Sequence, residues 1–360
     1  MMKVLYDDQM FRIQKLGGIT RYFSYLYHNL PDERVGIDLG MLYTRNLYVQ
    51  DAPLPMQNAA GRLLIGKHLQ GLNRWYSKRL GRSGRYDVLH PTYYDPYVLR
   101  EARGRPVVLT VHDLIHQLMP QYYAGDPTAR QQHEMIPRAD RIIAISENTK
   151  RDILRFFPVD ERRITVIHHG LMLDPAAGPE APRPDGPDYL LYVGERGGYK
   201  NFGPMAEQVA PVLRETGLHL VCAGSRPFSA DEQALLARLG IAGQTSQRRV
   251  GDAELRALYR HAVCFVFPSL YEGFGLPILE AFAAGCPVVL SDASCFPEIA
   301  GEAGVYFDPV RTESIGAAVR SVVDDGALRE RMARAGHERL GLFGADKMVG
   351  KTRDLYLGLA

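Results

Sequence analysis

Two glutamates stand eight positions apart in PSLYEGFGLPILEAFAAGCPVVLSD, residues 268–292: Glu272 just before a Gly-Phe-Gly turn and Glu280 just after Pro277. The apolar run VCFVFPS ahead of them predicts a buried strand, with LYEGFG as the loop at its carboxyl end. Pro277 suits the first turn of a helix, where its missing N–H has no partner to lose. Gly285 closes that helix before a further strand, PVVLSD. Glu272 then lies on the loop and Glu280 about one turn into the helix. The helix start between them offers free backbone N–H groups and a partial positive charge, suited to a phosphate or a developing oxyanion. Gly273 and Gly275 permit close approach of the backbone to a ligand. The same spacing also describes a solvated loop glutamate followed by one on a helix surface.

Three other stretches carry chemistry-bearing residues at strand ends. YVGERGGYKNF (192–202) is a glycine-rich turn with Arg196 and Lys200, able to neutralise a diphosphate; it also reads as a solvated turn, and it is not a Walker A loop. KLGGITRYFSYL (15–26) places Gly17 and Gly18 between a strand and a helix, where a phosphate can approach, although a Gly-Gly pair most often simply makes a turn. In VVLTVHDLIHQ (107–117), His112 ends a buried strand and can hydrogen-bond a sugar hydroxyl or shuttle a proton; taken alone, it equally fits a capping or packing role. His116 follows four residues later, but no third ligand accompanies the pair, and no Asp-x-Asp occurs to hold a divalent cation. No metal site is expected.

The elements that must position these residues are short apolar runs alternating with helical patterns: KVLYD, DVLHP, PVVLTVHD, RIIAIS and ITVIHHG, then YLLYVG, LHLVCAG, CFVFPS and CPVVLSD. Helices are predicted over 20–30, 147–156, 203–216, 252–261, 277–285 and 312–323. This alternation is that of parallel sheets covered on both faces, so the fold class is α/β with two doubly wound, Rossmann-like domains. A stretch with five prolines near 171–188 breaks the pattern. The domains are read as 1–172, a linker at 173–188, a second domain at 189–340, and a C-terminal helix over 341–360 that can cross back to the first. All the chemistry-bearing stretches then end strands at a carboxyl edge, and a central cleft between the domains would gather them.

Composition is that of a globular protein, 46% hydrophobic and 23% charged, with a net charge of +2. No apolar run reaches the about 18 residues of a membrane span, and the N-terminus lacks a signal-peptide pattern. Four cysteines without a C-x-x-C pair fit a reducing cytoplasm. Charge is uneven: residues 1–170 hold 24 Lys and Arg against 17 Asp and Glu, while residues 171–360 hold 19 against 24. Residues 52–86 contain no acid but include Arg62, Lys67, Arg74, Lys78, Arg79, Arg82 and Arg85 among Leu63, Leu72, Trp75 and other apolar residues. Such a segment can lie on an anionic membrane surface; it can also be a solvated helix face. Nucleic acid is not an expected partner, because no recognition motif accompanies this near-neutral chain.

Taken in order, GGITRY, VVLTVHDLI, ADRIIAISENTKRDI, VIHHG, LLYVGERGGYKN and the Glu-x7-Glu stretch resemble the retaining glycosyltransferases of family 4, which have the GT-B fold. The chain is most similar to bacterial mannosyl- and rhamnosyltransferase-like members that build cell-surface polysaccharides such as O-antigen. The resemblance implies that Glu272 contacts the donor sugar, as nucleophile or electrostatic stabiliser, and that Glu280 holds the nucleotide ribose. It implies backbone amides at Phe274, Gly275 and Leu276 facing sugar and diphosphate, and Arg196 and Lys200 stabilising the departing diphosphate. Gly18 matches the glycine loop of the first domain, with Gly17 beside it, and His112 a histidine near the donor sugar. The base is expected to be read by backbone near Val250 and Gly251. GERGGYKN departs from the commoner Gly-Arg…Lys-Gly form, which bears on Arg196 more than on Lys200.

The implied reaction moves a hexose, mannose first, from a nucleoside-diphosphate sugar to a glycan or lipid-linked acceptor, with no cofactor or metal required. GDP-mannose is the first donor expected, with UDP- or TDP-sugars as the others. The protein is expected in the cytoplasm or peripheral on the inner face of the cytoplasmic membrane. A sugar-nucleotide epimerase of the same fold, or a non-catalytic sugar-nucleotide-binding partner, are the competing readings. A dinucleotide oxidoreductase is disfavoured because no G-x-G-x-x-G follows the first strand.

Overall fold

The apolar runs form parallel strands in a computed structural model that describes residues 1–65, 69–172, 182–224 and 226–359. The chain divides into two compact units, Met1–Met172 joined by the stretch beginning at Ala345, and the intervening stretch ending at Gly344. Residues 173–181 of the expected linker lie outside the described residues, as does Lys67 of the basic segment.

The first unit contains β1 (Met2–Tyr6), β2 (Val35–Leu39), β3 (Val88–His90), β4 (Val108–Val111), β5 (Arg141–Ala144) and β6 (Ile164–Val166). They pair in the orders β2-β1-β3 and β4-β5-β6, and a parallel bridge from Leu89 to Val107 links β3 to the chain entering β4. Parallel neighbours require crossover connections, and helices such as Gly18–Asn29 and Glu147–Phe156 supply them. Ser146 starts the second of these by accepting from the Thr149 amide.

The helix Ala345–Leu357 packs into this same unit, where Met348, Val349 and Tyr356 join Val4, Phe23 and Leu26 in one core. The buried Tyr356 hydroxyl lies 3.0 Å from the Tyr6 hydroxyl and 2.5 Å from His90 Nδ1, while His90 Nε2 meets Thr110 Oγ1 at 2.9 Å. Burial lowers the pKa of His90 to about 3, so it is neutral and can take a hydrogen bond on one nitrogen and give one on the other.

The second unit is one six-stranded sheet: β7 (Tyr189–Val193), β8 (His219–Ala223), β9 (Thr245–Arg248), β10 (Cys264–Phe267), β11 (Val288–Ser291) and β12 (Gly304–Phe307). Its order is β12-β11-β10-β7-β8-β9, all parallel. Strand order therefore reverses between β7 and β10, and ligands of open α/β sheets bind at the carboxyl ends of the strands at such a reversal. Three strands absent from the sequence reading, β2, β9 and β12, all lie at sheet edges.

Helix Leu276–Ala283, which carries Glu280, is backed by helix Gly326–Leu340. The contact is close at Gly336, where an added Cβ would come within 2.4 Å of the Phe282 ring. Gly336→Ala should therefore cost about 1–3 kcal/mol by overpacking, despite the better helix propensity of alanine. Urea unfolding would read this as a lower midpoint at unchanged slope.

Candidate active site

At the reversal point, the loops leaving β7 and β10 are tied together, since the Leu270 amide donates to the Tyr199 carbonyl at 2.8 Å. That places Lys200 against Glu272, with Nζ donating to Oε1 at 2.6 Å; the side chains are 20% and 17% exposed. Asn201, in the left-handed region at φ 57°, turns the chain out of this loop into helix Phe202–Thr216, and its side-chain amide is anchored on the Pro309 carbonyl. The Glu272 amide donates to Ser294 Oγ at 3.1 Å, and its carbonyl accepts from Cys295 Sγ at 3.2 Å. The loop carrying Glu272 is thus fixed to the chain following β11. A half-buried ion pair of this kind leaves two charges that an anionic ligand can separate: Lys200 can turn to a diphosphate while Glu272 faces a developing cation.

Gly275 precedes helix Leu276–Ala283 with φ 90°, a conformation that excludes other residues here, because a Cβ would also meet Ile278 at 3.1 Å and Phe296 at 3.3 Å. The Phe274 side chain is buried edge-on to Phe343, so only its backbone is available to a ligand. One turn into the helix, Glu280 Oε2 accepts from the Tyr259 hydroxyl at 3.4 Å. Burial, reinforced by the nearby Glu280 charge, raises the Tyr259 pKa well above its usual value, so the phenol keeps its proton and donates. Tyr259 had not been singled out in the sequence; it lies 21 residues before Glu280, on the helix Asp252–His261.

Arg196 is placed differently from Lys200. It is buried, with Nε donating to Glu232 Oε1 at 2.8 Å and Nη2 to Glu232 Oε2 and to the Arg226 and Pro227 carbonyls at 2.9–3.2 Å. Its guanidinium also lies 4.7 Å from the Phe228 ring centroid. Glu232 completes a capping box with Ser229. Arg196 thus fastens the chain after β8 to the exit of β7.

Burial would raise the Glu232 pKa, but the Arg196 and Ser229 hydrogen bonds bring it below the ordinary value. Its stabilising contribution is therefore fully present above the ordinary glutamate range and lost as pH falls through the depressed folded value. Arg196→Ala should cost about 2–4 kcal/mol, by leaving Glu232 and two carbonyls without their partner. The loss, measured by urea unfolding at neutral pH, should shrink in acid as Glu232 protonates.

Val250 follows the edge strand β9, and Gly251 caps the next helix with its amide on Glu254. In the first unit, Gly17 precedes helix Gly18–Asn29, and a side chain there would collide with Gln14 Oε1 at 2.3 Å; the space beside Gly18 is open.

His112 follows β4 with its ring packed on Tyr22 and stacked 5.8 Å from His169, a residue the sequence reading left without a role. Burial, with a contribution from His90, lowers the His112 pKa to about 3. Its Nε2 is buried and makes no hydrogen bond. A neutral imidazole with an unused nitrogen suits a hydroxyl, not a charge. His116 turns to Tyr123 and Asp126. Among the described residues, no three His, Cys, Asp or Glu side chains are grouped to hold a metal ion.

Two family models match successive stretches of the chain: Glycosyltransferase Family 4 over residues 16–174 and Glycosyl transferases group 1 over residues 177–339. O-antigen chain mannosyltransferase B of Escherichia coli is 30% identical over 284 residues, covering 74% of this chain and 72% of that protein. Glycogen synthase of Mycobacterium tuberculosis is 34% identical over 281 residues, covering 73% and 67%. Sucrose-phosphate synthase from Thermosynechococcus elongatus superposes with a TM-score of 0.76 at 20% identity, over 100% of this chain and 99% of that one. Anabaena HepE in complex with UDP and glucose does so at 0.73 and 16%, over 99% and 100%. With its two Rossmann-like units and these relatives, the chain belongs to the family 4 glycosyltransferases of the GT-B fold.

Proposed function

We propose that this glycosyltransferase moves a hexose, mannose first, from a nucleoside-diphosphate sugar to a glycan or lipid-linked acceptor during cell-surface polysaccharide synthesis. The observation that carries the reading is the Lys200–Glu272 pair at the strand reversal, beside the start of the helix bearing Glu280. The relation to an O-antigen mannosyltransferase supports the choice of sugar. In the reaction, the bond between the anomeric carbon and the donor oxygen breaks, and its electron pair leaves with the diphosphate. Lys200 and the amides at Gly275 and Leu276 stabilise that charge without a metal. Glu272 faces the oxocarbenium-like carbon, and the acceptor hydroxyl bonds to that carbon on the face the diphosphate left, giving its proton to an oxygen of the departing diphosphate, so configuration is retained.

Glu280 is assigned to the ribose, with Tyr259 holding its carboxylate, and neutral His112 to a hydroxyl of the donor sugar. Arg196 acts on the diphosphate indirectly, by fixing the loop that carries Lys200. The backbone at Val250 contributes to the base, and Gly17 and Gly18 admit the ligand to the first unit.

Residues 52–86 are assigned to an anionic membrane surface. No helix among the described residues is long and apolar enough to cross a membrane. Trp75, 56% exposed on helix Leu69–Ser83, has the Arg79 guanidinium over its ring. Sedimentation with anionic vesicles should carry the protein down, and high salt should release it.

The reading is tested by incubating the protein with GDP-mannose and membrane extract and following GDP release against mannosylated product. Equal amounts of the two are expected. Conversion of the sugar nucleotide without any acceptor product would favour an epimerase instead.

A further inference from the structure

We infer that Ser294 is a positioning residue of the transfer, its backbone held in a left-handed turn so that its hydroxyl fixes the amide of Glu272. The inference rests on the transferase reading above and adds to it the group that sets the place of Glu272.

Backbone geometry singles this serine out. Among the described residues, three that are not glycine have φ in the left-handed region: Arg103, Asn201 and Ser294. Arg103 belongs to an exposed turn of the first unit that continues through Gly104 at φ 81°. The other two stand at the Lys200–Glu272 pair. Asn201 follows Lys200 at φ 57°, and Ser294, at φ 53°, accepts from the Glu272 amide at 3.1 Å. Asparagine enters this region readily, whereas serine does so at a cost. Such a conformation persists only where its surroundings over-determine it, and residues of this kind cluster at functional sites. Glycine would take the same φ without that cost, but it has no hydroxyl to offer the Glu272 amide.

Glu272 is a residue in need of such support. It lies between β10, which ends at Phe267, and helix Leu276–Ala283, in a stretch where neither strand nor helix covers its peptide. Two consecutive residues after β11 grip that peptide instead: Ser294 Oγ takes the amide, and Cys295 Sγ donates to the carbonyl at 3.2 Å. β10 and β11 are parallel neighbours, so their exits lie side by side. Cys295 is fully buried and leads into helix Phe296–Ala300, so the grip stands on packed structure. The Lys200 contact at 2.6 Å holds the carboxylate from the other end. In the proposed reaction Lys200 turns to the diphosphate, and the backbone grip then remains to keep the carboxylate beside the anomeric carbon. A displacement of about 1 Å at a reacting group can cost about 10²-fold in rate.

The test is a double-mutant cycle between Ser294→Gly and Glu272→Gln, with Ser294→Ala as a second variant lacking the hydroxyl. Turnover and thermal midpoint are measured for each full-length protein. Ser294→Gly and Ser294→Ala should each lower kcat by about 10–100-fold, with the donor KM within about threefold of wild type. In the Glu272→Gln protein, Ser294→Gly should cost less than about threefold more, because the group it positions is already gone. The glycine variant should melt above the alanine variant, since glycine relieves the backbone and alanine does not. A serine that served stability alone would instead lose turnover in the order of the midpoints, alanine more than glycine. That pattern, wild-type turnover in Ser294→Gly, or an undiminished loss in the Glu272→Gln protein would each overturn the inference and leave the transferase reading in place. A wild type that makes no glycosylated product would overturn the transferase reading, and this inference with it.

Discussion

Glu272→Gln is expected to lower turnover by about 10²–10⁴-fold while changing nucleoside diphosphate affinity little. The carboxylate is held against Lys200 in a loop anchored by Ser294 and Cys295, so glutamine can occupy the same space with the same fixed backbone. On the proposed mechanism, what it removes is the negative charge facing the carbon that becomes positive as the donor bond breaks. Interactions made only in the transition state appear in kcat and leave ground-state binding alone, and removal of one such charge or proton-handling group is worth about that range. The check is steady-state kinetics of the variant beside calorimetric titration with the product nucleotide. A variant that lost nucleotide affinity in the same proportion as turnover would show that Glu272 is a binding group only.

Lys200→Ala is expected to lose about 10²–10³-fold in kcat/KM, the size seen when one donor to a developing oxyanion is removed. Here part of the loss should appear as weaker binding of the nucleoside diphosphate, because the product already carries the charge that Lys200 is proposed to meet. The two residues share one contact, so Glu272→Gln with Lys200→Ala should be non-additive: the double variant should fall short of the product of the single losses. Comparison of the four proteins in one assay reads this coupling. Strict additivity would place the residues in separate roles.

The loop-then-helix placement of Glu272 and Glu280 was legible because a buried strand, two glycines and a proline punctuate the chain between them, and the φ of 90° at Gly275 is the kind of turn those glycines permit. The central strands were legible for the same reason: buried on both faces, they are nearly continuous apolar runs. The strands that escaped, β2, β9 and β12, are edges with half-exposed side chains, and β9 reads TSQR, which no hydrophobic pattern reveals. Partnerships distant in sequence were not legible either. Arg196 reads as a phosphate ligand in a glycine-rich turn, and nothing around it in the sequence points to its bond with Glu232, 36 residues later in a capping box. Tyr259 and Ser294 look ordinary in the sequence and acquire meaning only from Glu280 and Glu272 beside them. The buried chain from Tyr6 through Tyr356 and His90 to Thr110 joins residues up to 350 positions apart. The relatives supply the family, which spacing alone could not, since the Glu-x7-Glu stretch by itself also fits two solvated glutamates.

The central claim is that the second unit holds a nucleoside diphosphate between Lys200 and Glu280, and thermal unfolding tests it most directly. The wild type and Glu280→Ala would be heated with UDP, GDP, ADP and TDP in turn. A ligand present at 100 times its Kd stabilises by about 2.7 kcal/mol, which raises the midpoint of a unit this size by about 5–10 °C on the usual scaling. The account predicts such a shift in the wild type for one of the four, GDP first, and a clearly smaller shift in Glu280→Ala. Absence of a shift with all four, or an equal shift in Glu280→Ala, would contradict it.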